Sequence, residues 1–260
     1  MSSARGYYAN ERWDVGAWVD VIGVEYETLV DAYPFDDVFR SLGGDLELLD
    51  VGCGTAIFPR YLDPVLSDDV ALRADLLDIS EASLVRASEV LMALDHFTVG
   101  DVYQSWIEDL PLLGEDRYHV VWAIHSLTTV DRHRMSASYD RLMTAVKPGG
   151  YLYIYQLTAA SAYQQVHRLY RAERGGDRYM EFEDTVELLD AAGYAYEVVE
   201  LAFDHVVPDR TESLAKYLQK VTLDDTASVE LFEPILRPLR GDGVVRFPQT
   251  VNLMAVRKQD

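Results

Sequence analysis

Only one cysteine, Cys53, occurs in the 260 residues. That excludes an internal disulfide and a cysteine-based zinc site, and it fits a reducing, cytoplasmic setting. Basic residues are scarce. Lys and Arg number 23 against 44 Asp and Glu, a formal net charge of −21. A field of that sign repels phosphate backbones, so no nucleic-acid partner is expected. No apolar run approaches the roughly 18–20 residues of a membrane span, so no membrane partner is expected either. The opening residues, MSSARGYYANERWD, hold no apolar signal-peptide core. Gly-Lys-Ser/Thr is missing, which excludes a P-loop. No histidine–carboxylate group has convincing metal spacing, and no metal is expected. Repeats, low-complexity stretches and linker composition are also lacking, so residues 1–260 read as one domain.

What is present organises itself around Leu48 to Ala56, LLDVGCGTA. An apolar strand ends in Asp50 and runs into a turn carrying Gly52 and Gly54. Such a turn puts the carboxyl end of a strand at the crevice where open α/β sheets bind ligands. Downstream, strands and helices alternate. Strands are expected at 70–79, 96–99, 118–125 and 151–157. Helices are expected at 56–66, 80–94 and 132–146. The alternation argues a parallel sheet with right-handed crossovers, an α/β fold. Before the turn, Val15, Trp18, Ile22, Leu29 and Tyr33 recur at helical spacing over 13–33, within an N-terminal helical cap of residues 1–44. After residue 157 the character changes. Helices at 159–174 and 182–192 precede a long strand, 196–207. Two helical stretches, 211–222 and 227–237, then separate it from a last strand at 247–256.

Three acids fall at or near strand ends: Asp50, Asp78 and Asp101. An acid ending the second strand can accept both hydroxyls of a ribose. A dinucleotide turn would have a third glycine where Thr55 and Ala56 stand. The site therefore suits an adenosine without phosphate and with a cationic or zwitterionic tail. Glu25 lies on the apolar stripe of the first helix, where a carboxylate must find a partner or line a cavity. His125, ending the fourth strand, is the best-placed base, since imidazole is the side chain suited to proton transfer near neutral pH. Tyr163 and Tyr170 share a helical face that could cover an acceptor ring.

Taken together, LLDVGCGTA, LLDIS (76–80), VGDVY (99–103) and VKPGGYLYI (146–154) resemble the four successive motifs of the class I S-adenosylmethionine-dependent methyltransferases, over about residues 45–157. The resemblance implies a Rossmann-like seven-stranded sheet, mostly parallel with an antiparallel last strand. It implies S-adenosylmethionine as cofactor, S-adenosylhomocysteine as product, and no metal. Gly52 and Gly54 would approach the methionine portion, Asp78 would bind the ribose, and Asp101 with Val102 would contact the adenine, with Asp50, Cys53 and Ile79 also at the cofactor. His125 and Ser126 would lie beside cofactor and acceptor. The helical insertion before the last strand is similar in layout to the histamine N-methyltransferase branch. There Glu25 matches an amine-facing acid and Gln249 a late amide. Thr129 replaces a tyrosine, and Tyr163 and His167 stand where that branch has tryptophans.

The expected activity is methyl transfer to N, O or C of a small amine or aromatic acceptor by in-line displacement, with Glu25 and His125 as the reactive pair. The acceptor would be enclosed by the N-terminal helix and the 205–246 insertion, in a monomer or homodimer. The alternative is a non-catalytic methyltransferase-like subunit that binds and regulates another protein. A nicotinamide oxidoreductase is disfavoured by the missing glycine. An aminopropyl transferase is disfavoured by the lack of further acids beside Glu25.

Overall fold

A computed structural model describes residues 15–110 and 113–259, with side chains given from Val21 onward. The predicted helix start at 13–14 and the side chains of Val15 and Trp18 lie outside what is described. Helix α1 spans Val15–Ala32 and α2 Phe35–Ser41, separated by Pro34. Then come β1 (Asp45–Val51), α3 (Ile57–Leu62), β2 (Ala71–Asp78), α4 (Glu81–Leu91) and β3 (Phe97–Gln104). They are followed by β4 (Tyr118–Ile124), α5 (Arg132–Ala145), β5 (Val146–Leu157), α6 (Ala162–Arg174) and α7 (Phe182–Ala192). The chain closes with β6 (Tyr196–Pro208), α8 (Thr211–Thr222), α9 (Glu233–Leu239), the two-residue β7 (Arg240–Gly241) and β8 (Val244–Arg257).

The sheet order is β3-β2-β1-β4-β5-β8-β6, with β7 paired to β8. Strands β1 to β5 pair in parallel, and β8 runs antiparallel to both β5 and β6. The seven expected strands are all there, and β7 adds a short eighth. Side chains alternate across the sheet, so neighbouring residues serve opposite layers. Leu48, Leu76, Trp122 and Tyr153 face α1 to α4, whereas Leu49, Leu77, Val121 and Ile154 face α5 and α7. The sheet is thereby covered on both sides, which explains the unbroken apolar runs of β1 and β4. A third cluster, with Leu214, Tyr217, Phe232 and Phe247 at its centre, joins α6, α8 and α9 to the ends of β6 and β8.

Helix boundaries follow local chemistry. Ser80 caps α4 by accepting from the Ser83 N–H, and Asp131 caps α5 by accepting from that of His133. Glu181 and Asp184 form a reciprocal capping box on α7, and Gly193 ends that helix in the left-handed conformation. One boundary differs from expectation in a way that matters for the site. Strand β3 does not stop at Val99. It continues through Gly100 and Asp101 to Gln104, pairing Val102, Tyr103 and Gln104 with Leu76, Leu77 and Asp78.

Candidate functional site

The carboxyl ends of β1, β2 and β4 open into a cavity of about 390 Å³. Its floor is the turn after β1. The N–H groups of Gly52 and Cys53 donate to the Leu77 carbonyl at 2.7 and 3.0 Å, which ties the turn to the end of β2. Gly52 has φ +68°, and a Cβ there would come within 2.4 Å of the Ser126 Cβ. Only glycine lets these two strand ends approach so closely. Ala56, where the sequence departs from the glycine pattern, takes φ 53° and ψ 47°. That is the left-handed region, costing an alanine about 1–2 kcal/mol.

Asp78 sits across from the turn. Its Oδ2 accepts from the Gly54 N–H and its Oδ1 from the Ser80 N–H, both at 2.9 Å. Burial raises its pKa, and the backbone N–H groups pull it back. Asp50 is buried at the base of the turn. Burial pushes its pKa up to about 7; the Trp122 indole lowers it and the nearby Asp78 raises it. Burial likewise pushes the Cys53 thiol well up. A thiol so raised is a poor nucleophile, so Cys53 serves as a small wall residue.

At the other end of the cavity, α1 contributes Ile22, Glu25 and Tyr26. Glu25 has its two oxygens shared between two histidines: Oε2 meets His125 Nε2 and Oε1 meets His205 Nε2. Burial works to raise the Glu25 pKa, but the two imidazoles outweigh it and hold the carboxyl at about 2. His125 ends β4 with φ 57°. A non-glycine residue held there stores strain of a kind that concentrates at functional sites. Its N–H donates to the Tyr155 carbonyl at 3.0 Å, and its ring sits edge-on to the Tyr155 ring, 4.5 Å between centroids.

Of the residues singled out from sequence, Glu25, Asp50, Gly52, Cys53, Gly54, Asp78, Ile79, His125, Ser126, Thr129 and Tyr163 all line this cavity. Four do not. Asp101 and Val102 fall on the extended part of β3, away from the opening. Asp101 takes the Arg117 guanidinium at 2.7 Å, and this hydrogen bond lowers its pKa, while Val102 is exposed. His167 is covered by Tyr179, whose ring stacks on it, and its Nε2 lies 3.0 Å from the Asp177 carbonyl. Burial lowers its pKa to about 4. Gln249 is buried behind the wall, where its amide meets Ser161, Tyr163 N, Tyr217 and the Phe247 carbonyl. The 205–246 insertion also contributes nothing to the lining. It packs on α6 and β8 and braces the wall from behind.

Other lining residues escaped the sequence reading. Because β3 runs on to Gln104, the segment that reaches the opening is Ser105-Trp106-Ile107. Trp122 and Tyr26 also line the cavity. The signal for Tyr26 was available, since it follows Ile22 at i+4 on the same helix. His205 could not be ranked from sequence, because its partner Glu25 lies 180 residues away.

Residues 48–150 match the family model of a methyltransferase domain. No curated protein sequence matches the chain. Among solved structures it is similar to the N-methyltransferase NodS from Bradyrhizobium japonicum WM9, in complex with S-adenosyl-L-homocysteine. That match has a TM-score of 0.56 and 13% identity, and it covers 100% of both chains. It is similar to an S-adenosylmethionine-dependent methyltransferase from Methanosarcina mazei, with a TM-score of 0.52 and 16% identity over 88% of this chain and 99% of that one. A [4+2]-cyclase, SpnF, is similar at a TM-score of 0.54 and 19% identity over 94% of this chain and 95% of that one. At these identities the likeness shows a shared fold, that of the S-adenosylmethionine-dependent methyltransferases.

Proposed function

We propose that this protein transfers a methyl group from S-adenosylmethionine to a small, partly aromatic acceptor. One observation carries the reading. A single cavity joins the glycine turn and Asp78 at one end to His125 and Tyr163 at the other. Its volume lies within the usual range for small-ligand sites, about 300–1,000 Å³.

The residues present fit the cofactor. Asp78 has one backbone donor on each oxygen, and a carboxylate has about four acceptor positions, so it retains capacity for the ribose hydroxyls. Ser126 Oγ is buried on the cavity wall with no partner among the described residues, and it is offered to a ligand. The buried Asp50 stands where a cationic tail would stabilise its charged form. Ile79 flanks the ribose position, and Trp106 with Ile107 takes the adenine flank in place of Asp101 and Val102. Gly52, Cys53 and Gly54 present backbone to the methionine portion. When bound, S-adenosylmethionine supplies an already activated methyl group. The protein then contributes alignment and exclusion of water. Tyr26, Thr129 and Tyr163 bound the acceptor space, and His125 faces it as base. Both Glu25 oxygens are taken by imidazoles, so Glu25 orients His125 rather than pairing with an acceptor amine.

A fold shared with a cyclase warns that fold does not set the reaction. Calorimetric titration with S-adenosylmethionine, S-adenosylhomocysteine and NAD tests the proposal. Micromolar binding of the first two and none of NAD is expected. Asp78→Ala should weaken S-adenosylhomocysteine binding by about 1–3 kcal/mol, the usual loss for a charged hydrogen-bond partner. Equal binding by the variant would place the ribose elsewhere.

A further inference from the structure

Behind His125 lies a buried line of polar groups whose hydrogen-bond directions can be fixed from one end. The Tyr163 backbone N–H can only donate, and it points at Gln249 Oε1 at 3.3 Å. The Ser161 hydroxyl donates to the same oxygen. The other end of the Gln249 amide is therefore its NH₂ group. It donates to the Phe247 carbonyl at 3.2 Å and to the Tyr217 hydroxyl at 3.3 Å. With its oxygen accepting from Gln249, Tyr217 turns its own proton to His205 Nδ1, 3.1 Å away. His205 Nδ1 then accepts, so the ring proton is on Nε2, which faces Glu25 Oε1. Glu25 is an ionised acceptor, and its other oxygen takes the Nε2–H of His125. His125 is left with its unshared pair on Nδ1. The side chain is 18% exposed and lines the cavity.

We propose that this chain, donating from Tyr163 N–H through Gln249, Tyr217 and His205 into Glu25, where the His125 Nε2–H also ends, sets His125 Nδ1 as the general base for an acceptor that carries a hydroxyl, such as a phenol or enol. The inference rests on the methyl-transfer reading above. The step balances. The acceptor O–H proton goes to His125 Nδ1 while the oxygen pair forms the new O–C bond. The C–S bond breaks with its electrons kept by sulfur, and His125 later releases the proton to water. His125 is the catalytic residue here. Glu25, His205, Tyr217 and Gln249 are positioning residues, and their burial explains why a polar chain persists inside an aromatic cluster. Every member must be satisfied for such a network to be tolerated.

Nitrogen NMR of the whole protein labelled at histidine reads the two tautomers without turnover. Signals are assigned by their loss in His125→Gln and in His205→Gln. Both rings are expected to carry a proton on Nε2 and a bare Nδ1. Tyr217→Phe keeps the ring and removes only the hydroxyl. It should shift the His205 and His125 signals while S-adenosylhomocysteine affinity stays within about twofold of wild type, since Tyr217 is remote from the cofactor end. His125 found with its proton on Nδ1 would overturn the proposal. So would a His125 signal that Tyr217→Phe leaves in place. The wild-type spectrum, assigned with the two histidine variants, decides the tautomer even if Tyr217→Phe fails to fold. Loss of S-adenosylhomocysteine binding by the wild type would instead count against the cofactor reading. Incubating wild type with a small-metabolite extract and ¹³C-methyl S-adenosylmethionine tests the acceptor. Labelled O–CH₃ supports a hydroxyl, and label on N–CH₃ or C–CH₃ alone overturns it.

Discussion

Two buried carboxyls in one cavity show how partners decide the sign of a pKa shift. Glu25 and Asp50 are both sequestered from water, and burial alone raises a carboxyl pKa. Glu25 faces two imidazoles and falls to about 2. Its contribution to stability is therefore present above its ordinary value of 4.5 and is lost as pH falls through about 2. Asp50 has no cation among the described residues to offset its burial, which with the nearby Asp78 carboxyl takes it up to about 7. The folded state then holds that proton more tightly than the unfolded chain. Stability from this group is full below its ordinary value of 3.8 and declines as pH rises toward about 7. The loss is on the order of 4 kcal/mol in the empty protein. A bound cation would reverse that penalty by favouring the ionised form. S-Adenosylmethionine affinity should therefore rise several-fold between about pH 6 and about pH 8. Calorimetry at both values measures it, and Asp50→Asn should flatten the profile. A flat wild-type profile would mean that the cofactor's charge lies away from Asp50. The residues that formed this site were legible where local pattern carried them. Asp50, Gly52, Gly54 and Asp78 sit in motifs only a few residues long, and Glu25 broke an apolar stripe. His205 was not, since only tertiary pairing brings β6 against α1.

At the level of elements, periodicity and capping read well, and sheet ends read poorly. Helices α7 and α8 lie where the sequence puts them, with Glu181 and Gly193 bounding the first. The end of β3 was misplaced because Gly100 and Asp101 look like a stop. Their place in the strand is set by tertiary chemistry. The buried Asp75 carboxylate accepts from the Asp101 N–H at 2.7 Å, the Tyr118 hydroxyl at 2.7 Å and Arg117 at 2.5 Å. A Cβ at Gly100 would lie 2.1 Å from Asp75 Oδ1. Glycine is thus the residue that lets β3 pass this network, and the opening is reached only at Ser105. The insertion between β6 and β8 was recognised as helical, but its task was misassigned, because an apolar helix face does not say which neighbour it will cover. The α8–α9 unit buries Phe232 completely in the third cluster, away from the cavity. Phe232→Ala should cost about 3–5 kcal/mol in urea unfolding, the range for large core truncations. S-Adenosylhomocysteine affinity of the folded fraction should stay within about twofold of wild type. A parallel loss of affinity would show that the insertion reaches the cofactor after all.

For the molecule as a whole, the acid excess acts on every scale of distance that solvent does not screen. At −21 the surface repels itself, and that repulsion destabilises the compact state. It also opposes any polyanionic partner. Local pairs work the other way. Arg40–Asp69 and Arg86–Glu89 are exposed contacts at 3.2 and 3.0 Å, and such pairs are worth about 0–1 kcal/mol each. Salt weakens both terms, but long-range repulsion fades first. The Debye length falls from about 30 Å at 0.01 M to about 8 Å at 0.15 M. That is still longer than a 3 Å contact, so the pairs survive while charges across the surface stop sensing one another. Thermal unfolding should therefore shift upward by a few degrees between those two salt concentrations, about 2–4 °C for each kcal/mol of repulsion removed in a chain of this size. Scanning calorimetry in sodium chloride measures the shift. A midpoint that falls with salt would show that the short pairs, and not the net charge, dominate this surface.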